Sequence, residues 1–381
     1  MLKPNFEIRP VESYLDNAAT TRLTPGVIEA MAPYLEDLYG NSETAYHLGR
    51  ESQEAVADAR CCVAWMLGVG PETVFFTSGG TESNNWAIKC AGGAGRVITC
   101  AVEHQSILES AKNAKNATVL WVDESGQMDL GQLKVELKAG GVRLVSVQYA
   151  NNETGVLQPI KSISKLCREH GVLFHVDAVQ AYGKSPWSVE DIGADLVSIS
   201  AHKIHGPMGV GALYVKPDIQ IVPLIHGGGQ EGGMRSGTIP VHLLSGFGKA
   251  AEEGWSMMNS FSRVGRMKRK MESALKEQYG AIINGESVDR LPTITSVTLR
   301  GVEATMVAAV LNRRYGVCLA CGPACGTHNR KSHVLEAMGV SLQDNRSTLR
   351  ISLSRLTKDN HLDNFLAGMG PALKDARESS V

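Results

Sequence analysis

Short apolar runs recur along most of the chain, each separated from the next by a stretch of helical spacing, and this alternation restricts the fold more than any other feature. The segments ETVFFTS (72–78), GRVITCAVEH (95–104), RLVSVQYANNETG (143–155), GVLFHVDAVQ (171–180), DLVSISAHK (195–203) and GALYVKP (211–217) are rich in Val, Ile and Phe and close on polar residues or glycine. Runs of that length and composition read as buried strands. Between them, ESQEAVADARCCVAWMLG (51–68) and PIKSISKLCREHG (159–171) carry helical spacing, the second ending on a glycine. Strand–helix alternation without a repeat period predicts an α/β fold with a mainly parallel sheet covered on both faces. After about residue 260 the pattern changes to a charged helix (263–280), the strand-like TITSVTLRG (293–301), another helix and a loop rich in Cys and Gly. A chain of 381 residues is long for one compact domain, so two are expected: a large one over 16–260 and a small α+β one over 1–15 and 261–381.

Composition narrows the function classes. A formal net charge of −1 argues against a broad electrostatic grip on nucleic acid or anionic membrane. No apolar run approaches the roughly 18 residues of a membrane span. The first residues, MLKPNFEIRPVESYLD, lack an apolar signal core, so a cytoplasmic location is expected. Eight scattered cysteines suit a reducing compartment better than a disulfide framework.

Three strand ends carry the polar residues that matter, and ligands of parallel α/β sheets bind outside the carboxyl ends of the strands. Ser78-Gly79-Gly80-Thr81 lies between a strand and a helix beginning near Glu82. It reads as a phosphate cradle on a helix N-terminus or as an ordinary tight turn. Asp177 closes GVLFHVD, where it caps a loop or holds a protonated pyridine nitrogen. Lys203 closes LVSISAHK, 26 residues later. A lysine on a buried strand end is costly unless paired or chemically used, and a desolvated amine beside a cofactor forms a Schiff base. Phosphate turn, acid and lysine together are the layout expected for pyridoxal 5′-phosphate.

The segments YLDNAATTRLTP, YGNSETAYHLGRE, VFFTSGGTESNNWAIK, EHQSIL, VQYANNETGVLQPI, HVDAVQAYGK, SISAHKIHGPMGVGALYV and HGGGQEGGMRSGTIPVH resemble the cysteine desulfurases of the class V aminotransferase group. The resemblance runs from about Tyr14 to Leu356 and implies the aminotransferase-like fold type I, a homodimer, and conversion of L-cysteine to L-alanine with sulfur passed on to an acceptor protein. It implies that Lys203 bears the cofactor, Asp177 meets the pyridine nitrogen, Gln180 lies near the phenolic oxygen, and His104 stacks on the ring or shuttles a proton. Phosphate ligands fall on Gly80, Thr81, Ser200 and His202, with Thr238 reaching over from a partner subunit. Arg350, inside the apolar strand STLRISLSRLT, is a carboxylate clamp or an ordinary salt bridge by its residue type. The resemblance assigns it the substrate α-carboxylate, helped by Asn152.

The segment CLACGPACGTHNRKSHVLEAMG (318–339) spaces Cys318, Cys321 and Cys325 as C-x2-C-x3-C. A tetrahedral metal site there would need His328 or His333 as a fourth ligand. The resemblance favours the other reading, a loop with one nucleophilic cysteine, Cys325, and no metal. Cys61, Cys62, Cys90, Cys100 and Cys167 read as core filler. Relative to the family, this chain adds Cys321 and Pro323 before the nucleophile, shortens the loop after it by about one residue, and carries Gly232 and Ser354 where arginine and glycine are usual. None of these removes a catalytic group. Plain aminotransfer, selenocysteine lysis and a non-enzymatic scaffold are the rival functions. Iron–sulfur assembly, tRNA thiolation and DNA phosphorothioation are the candidate destinations of the sulfur.

Overall fold

The computed structural model describes residues 13–114, 116–321 and 331–378. Seven strands form its main sheet, in the spatial order Val74–Thr77, Gly211–Val215, Leu196–Ser200, Leu173–Asp177, Val142–Gln148, Arg96–Cys100 and Ala117–Leu120. Gly211–Val215 is antiparallel to both neighbours, and the other four pairings are parallel. All six apolar runs of the sequence supply a strand. The seventh, Ala117–Leu120, is an edge strand with Val119 49% exposed; it overlaps the apolar run 119–122, which is not among the six.

Helices cover both faces. His47–Leu67 buries Ala55, Val56, Ala59, Val63 and Leu67, the i, i+3, i+4 spacing of one helical stripe, and ends on Gly68 with a left-handed φ of 72°. It packs on Val241–Ser256, where Gly248 permits the approach: a Cβ at Gly248 would stand 2.6 Å from Ala59 Cα. The core beneath holds Phe76, Ile98, Phe174, Ile199 and Phe247.

A second core gathers Leu15, Val264, Met271, Val297, Leu311, Leu349 and Phe365. It lies on a four-stranded antiparallel sheet ordered Ala320–Cys321, Thr348–Ser352, Ile294–Thr298, Ile282–Ile283. Ser13–Tyr14 pairs in parallel with Val317–Cys318, which ties the start of the described chain to this unit. The short helix His333–Ala337 departs from that grouping, since its Val334 and Leu335 pack into the first core. Among the described residues, no helix is long and apolar enough to cross a membrane.

Glu272 braces the second unit. It sits on the charged helix Ser260–Tyr279 and accepts from Arg290 at 2.8 and 3.1 Å and from Thr295 Oγ1 at 2.7 Å, with both Arg290 and Glu272 side chains under 10% exposed. Removing one partner of a buried pair leaves an uncompensated charge. Glu272→Ala is therefore expected to destabilise the protein by about 3–5 kcal/mol, read as a lower urea midpoint; an unchanged midpoint would show that the pair carries no stability.

Candidate active site

Adjacent parallel strands Leu173–Asp177 and Leu196–Ser200 end side by side, so Asp177 and Ser200 arrive together at the carboxyl edge of the sheet. Lys203 does not close its strand, as the apolar run had suggested. The strand stops at Ser200, and a 3-10 turn, Ala201–Lys203, carries the lysine. That turn is pinned by the N-terminal segment: Thr21 N and Oγ1 both donate to His202 O, at 3.0 and 2.8 Å. His205 then takes a left-handed φ of 74°, held by its amide on Thr21 Oγ1 at 2.7 Å and by its Nδ1 on Arg22 O at 2.8 Å. Backbone strain of this kind persists where surrounding bonds over-determine it.

A pocket of about 310 Å3 opens at this edge. Gly80, Thr81, His104, Asn152, Asp177, Gln180, Ser200, His202, Lys203 and Arg350 all line it. Every sequence-predicted site residue lies there except two. Thr238 is exposed in the loop before Val241, and Cys325 lies outside the described residues.

At the cradle, the helix Gly80–Cys90 starts directly after Gly79, whose φ of 148° suits glycine. It begins two residues earlier than the sequence indicated. A Cβ on Gly80 would come within 2.6 Å of Val179 Cγ2, so only glycine keeps the helix end open to the pocket. Glu82 secures the turn by accepting from Ser78 N at 2.8 Å and from Arg235 at 2.9 and 3.1 Å. Burial alone would raise the Glu82 carboxyl, but these donors from Arg235 and Ser78 hold it below its ordinary value.

A chain of hydrogen bonds crosses the pocket floor. Asp177 accepts from Val179 N at 3.0 Å and from Asn84 Nδ2 at 2.7 Å. Asn84 Nδ2 also donates to Ser106 Oγ at 2.9 Å, and its Oδ1 is buried with no partner among the described residues. His104 Nδ1 accepts from Ser106 N at 3.1 Å. Burial lowers the His104 imidazolium against the pull of Asp177, so the ring is neutral at pH 7 with its proton on Nε2. Behind it, burial pushes the Glu103 carboxyl well above the usual range. Asn84 was legible in principle, lying one helical turn beyond Gly80 on the same face.

Lys203 Nζ donates to Ala18 O and Ala19 O, both at 2.7 Å. Gln180 Nε2 donates to the same Ala18 O at 2.9 Å, while Gln180 Oε1 accepts from Lys184 Nζ at 2.9 Å. Burial, with Lys203 and Arg350 nearby, brings the Lys184 ammonium down to about 7. Burial and the same lysines bring His202 to about 4, so it too is a neutral imidazole.

Arg350 forms the salt bridge that is one of the two readings of its residue type. It pairs with Asp16 Oδ1 at 2.8 Å and donates to Asn152 O at 3.1 Å, yet it lines the pocket and its Nε has no partner among the described residues. Ala320 is paired with Arg350 across the small sheet, so the described chain breaks off after residue 321 next to Arg350. The chain returns at the same place. Ser332 Oγ donates to Glu153 Oε2, and His333 Nε2 donates to Glu103 O at 2.9 Å with Gln105 Nε2 3.3 Å from its Nδ1. His333, weighed from sequence as a metal ligand, is thus a pocket residue. Cys61, expected in the core, is exposed. It faces outward from the stripe that buries Ala59 and Val63.

The mainly parallel sheet and the lysine-centred pocket at its carboxyl edge define the molecule as an α/β enzyme fold of the aminotransferase type. Residues 13–365 match the sequence profile of the class V aminotransferases. A cysteine desulfurase of Nostoc sp. (strain PCC 7120) is 39% identical over 378 residues, covering 96% of this chain and 94% of that protein. The X-ray structure of a NifS-like protein from Rickettsia africae superposes with a TM-score of 0.89 at 32% identity, over 95% of this chain and 99% of that one. A structure of SspA in complex with cysteine gives 0.78 at 34% identity, over 91% and 100%. The chain belongs to the class V aminotransferase family, in its cysteine desulfurase branch.

Burial sets the acid limit of this site. It holds His175 at about 3 and His205 at about 4, the latter with help from Arg355. Unfolded, each takes up a proton near pH 6.5. With folded values depressed, the stability they contribute is complete above about pH 6.5 and is lost as pH falls through about 4. The melting temperature is expected to drop steadily across that window, and less steeply in His205→Asn, where asparagine tolerates the left-handed backbone. A flat profile from pH 6.5 to 4 would contradict the buried neutral histidines.

Proposed function

We propose that this chain withdraws sulfur from free L-cysteine, releases L-alanine, and carries the sulfur as a persulfide on Cys325 for delivery to an acceptor protein. The observation behind this reading is the convergence of Lys203, Asp177, Gln180, the glycine cradle and Arg350 on one pocket. The SspA structure bound to cysteine supports the choice of substrate.

The pocket suits pyridoxal 5′-phosphate. The open helix end at Gly80–Thr81, with Ser200 and His202, would take the phosphate. Asp177 would hold the ring nitrogen, Gln180 the phenolic oxygen, His104 the ring face, and Lys203 the aldehyde carbon. When bound, the cofactor supplies an electron sink. Arg350, through its unpartnered Nε–H, and Asn152 bind and orient the substrate α-carboxylate. Lys203 takes the α-proton at Nζ, steadied by the Ala18 and Ala19 carbonyls. The Cys325 thiolate attacks the substrate sulfur, the carbon–sulfur bond breaks with its electron pair left on carbon, and that carbon gains a proton as alanine departs. Cys325 is four residues from Cys321, a span of at most about 14 Å in extended chain, and Cys321 follows the residue paired with Arg350.

Thr238, exposed in a single chain, supports a two-fold homodimer in which it completes the partner's phosphate site. The two cores support a division near residue 260, and the free cysteines suit the cytoplasm.

Two experiments test this reading. Cys325→Ser should bind the cofactor through Lys203, detected as borohydride-fixed label on that residue, yet release almost no alanine from cysteine and carry no persulfide. Full alanine release by that variant would instead indicate another nucleophile, and conversion of cysteine to its 2-oxo acid would indicate aminotransfer. Sedimentation at assay concentration should give a dimer, and a fully active monomer would remove Thr238 from the site.

A further inference from the structure

Lys184 takes no part in the chemistry proposed for the pocket, yet it is buried against it, 6% exposed. It borders a cavity of about 10 Å3 behind Lys203 that Lys203, His205 and Arg355 also line. No acidic side chain lines that cavity among the described residues. The nearby arginines have their own acids, Arg350 with Asp16 at 2.8 Å and Arg355 with Glu253 at 3.2 Å. A buried ammonium without an acid is costly, and such a cost is retained where the group has work to do.

Its bond partner identifies that work. Lys184 Nζ donates to Gln180 Oε1 at 2.9 Å, and Gln180 Nε2 donates to Ala18 O at 2.9 Å. The Ala18 carbonyl only accepts, so the Gln180 amide nitrogen must face it, and that leaves Oε1 facing Lys184 Nζ, which in either protonation state has an N–H to donate. The second N–H of that amide is then the donor Gln180 offers to the pocket it lines. Without Lys184, Oε1 would be buried with no donor, at a cost of about 1–3 kcal/mol, and the side chain would leave its pose.

We propose that Lys184 is a positioning residue that locks the Gln180 amide with its N–H edge toward the pocket, and thereby sets how strongly the ring oxygen of the bound cofactor is held as an anion. This rests on the pyridoxal-phosphate reading above. The charged and titratable groups that face Lys184 are Lys203, His202 and His205 around the 3-10 turn, and Arg350 and Arg355 from the small sheet and the loop after it.

The test is a pH titration of the resting holoenzyme's visible absorbance, without substrate. A cation and an N–H donor beside the ring oxygen both favour the deprotonated form, so losing them raises the midpoint. Lys184→Met is expected to raise it by about one pH unit, since one unit is about 1.4 kcal/mol. Lys184→Gln, which keeps an N–H toward Gln180 Oε1 without the charge, should fold readily and fall between the two. In a Gln180→Leu background, Lys184→Met should shift the midpoint little, because its effect runs through Gln180. A Lys184→Met midpoint equal to wild type, or a full shift that persists in Gln180→Leu, overturns the proposal, the second by showing that charge alone acts. If Lys184→Met does not fold, a wild-type midpoint in Lys184→Gln together with an unchanged midpoint in Gln180→Leu does the same. A wild-type protein without cofactor absorbance refutes the cofactor reading itself, whereas a normally titrating wild type matched by Lys184→Met refutes only the role of Lys184.

Discussion

The amine of Lys203 rests on the carbonyls of Ala18 and Ala19, and much of the site hangs on that contact. The segment supplying those carbonyls is itself strung between the two sheets. Leu15 N donates to Cys318 O, Asn17 N and Nδ2 donate to Ser352 O, and Thr21 grips His202 O. A short stretch of backbone thus registers the lysine turn of the large sheet against the strand that bears Arg350. The spacing between the amine and the Arg350 guanidinium follows from main-chain hydrogen bonds, which are harder to displace than side-chain pairs because buried backbone groups must stay paired. Asp16, in the same stretch, holds the Arg350 guanidinium directly.

The glycine-rich loop depends on a second set of anchors. Glu231 accepts from both Arg60 nitrogens at 2.7 Å and from Phe76 N at 2.8 Å, and the Arg60 guanidinium lies 4.6 Å over the Phe76 ring. Arg235 reaches the cradle through Glu82. Bidentate pairs of this kind fix direction as well as distance. The loop that carries Thr238 is therefore clamped at two points to the strand Val74–Thr77 and the helix Gly80–Cys90, leaving Thr238 itself exposed three residues beyond the second.

Around the lysine, cations outnumber acids. Lys184, Lys203, Arg350 and Arg355 crowd a region where Asp177, Asp16 and Glu253 are each already hydrogen-bonded. Desolvation and mutual repulsion weaken the charged forms, which is why Lys184 falls to about 7 and the histidines stay neutral. The same imbalance makes the pocket receptive to anions.

The amino-acid sequence by itself determined the alternating strands, the cradle glycines and the strand-end acid, because each is written in local pattern: apolar runs, Gly-Gly before a helix, a carboxylate at the close of a buried strand. Ten of the residues it singled out meet in one pocket. The edge strand Ala117–Leu120 was not singled out, because its short apolar run 119–122 continues past the strand end into an exposed Trp121 and does not by itself distinguish strand from loop. Only the tertiary structure decided the partners that are distant in sequence. Asn84 and Asp177 are 93 residues apart, Arg350 and Asp16 334, and Lys203 and Ala18 185. His333 belongs to the pocket for the same reason: its partner is the Glu103 carbonyl, 230 residues away. Local pattern encodes which face of an element is buried, whereas the atoms that meet across that face are selected by how the sheets and their connecting backbone pack.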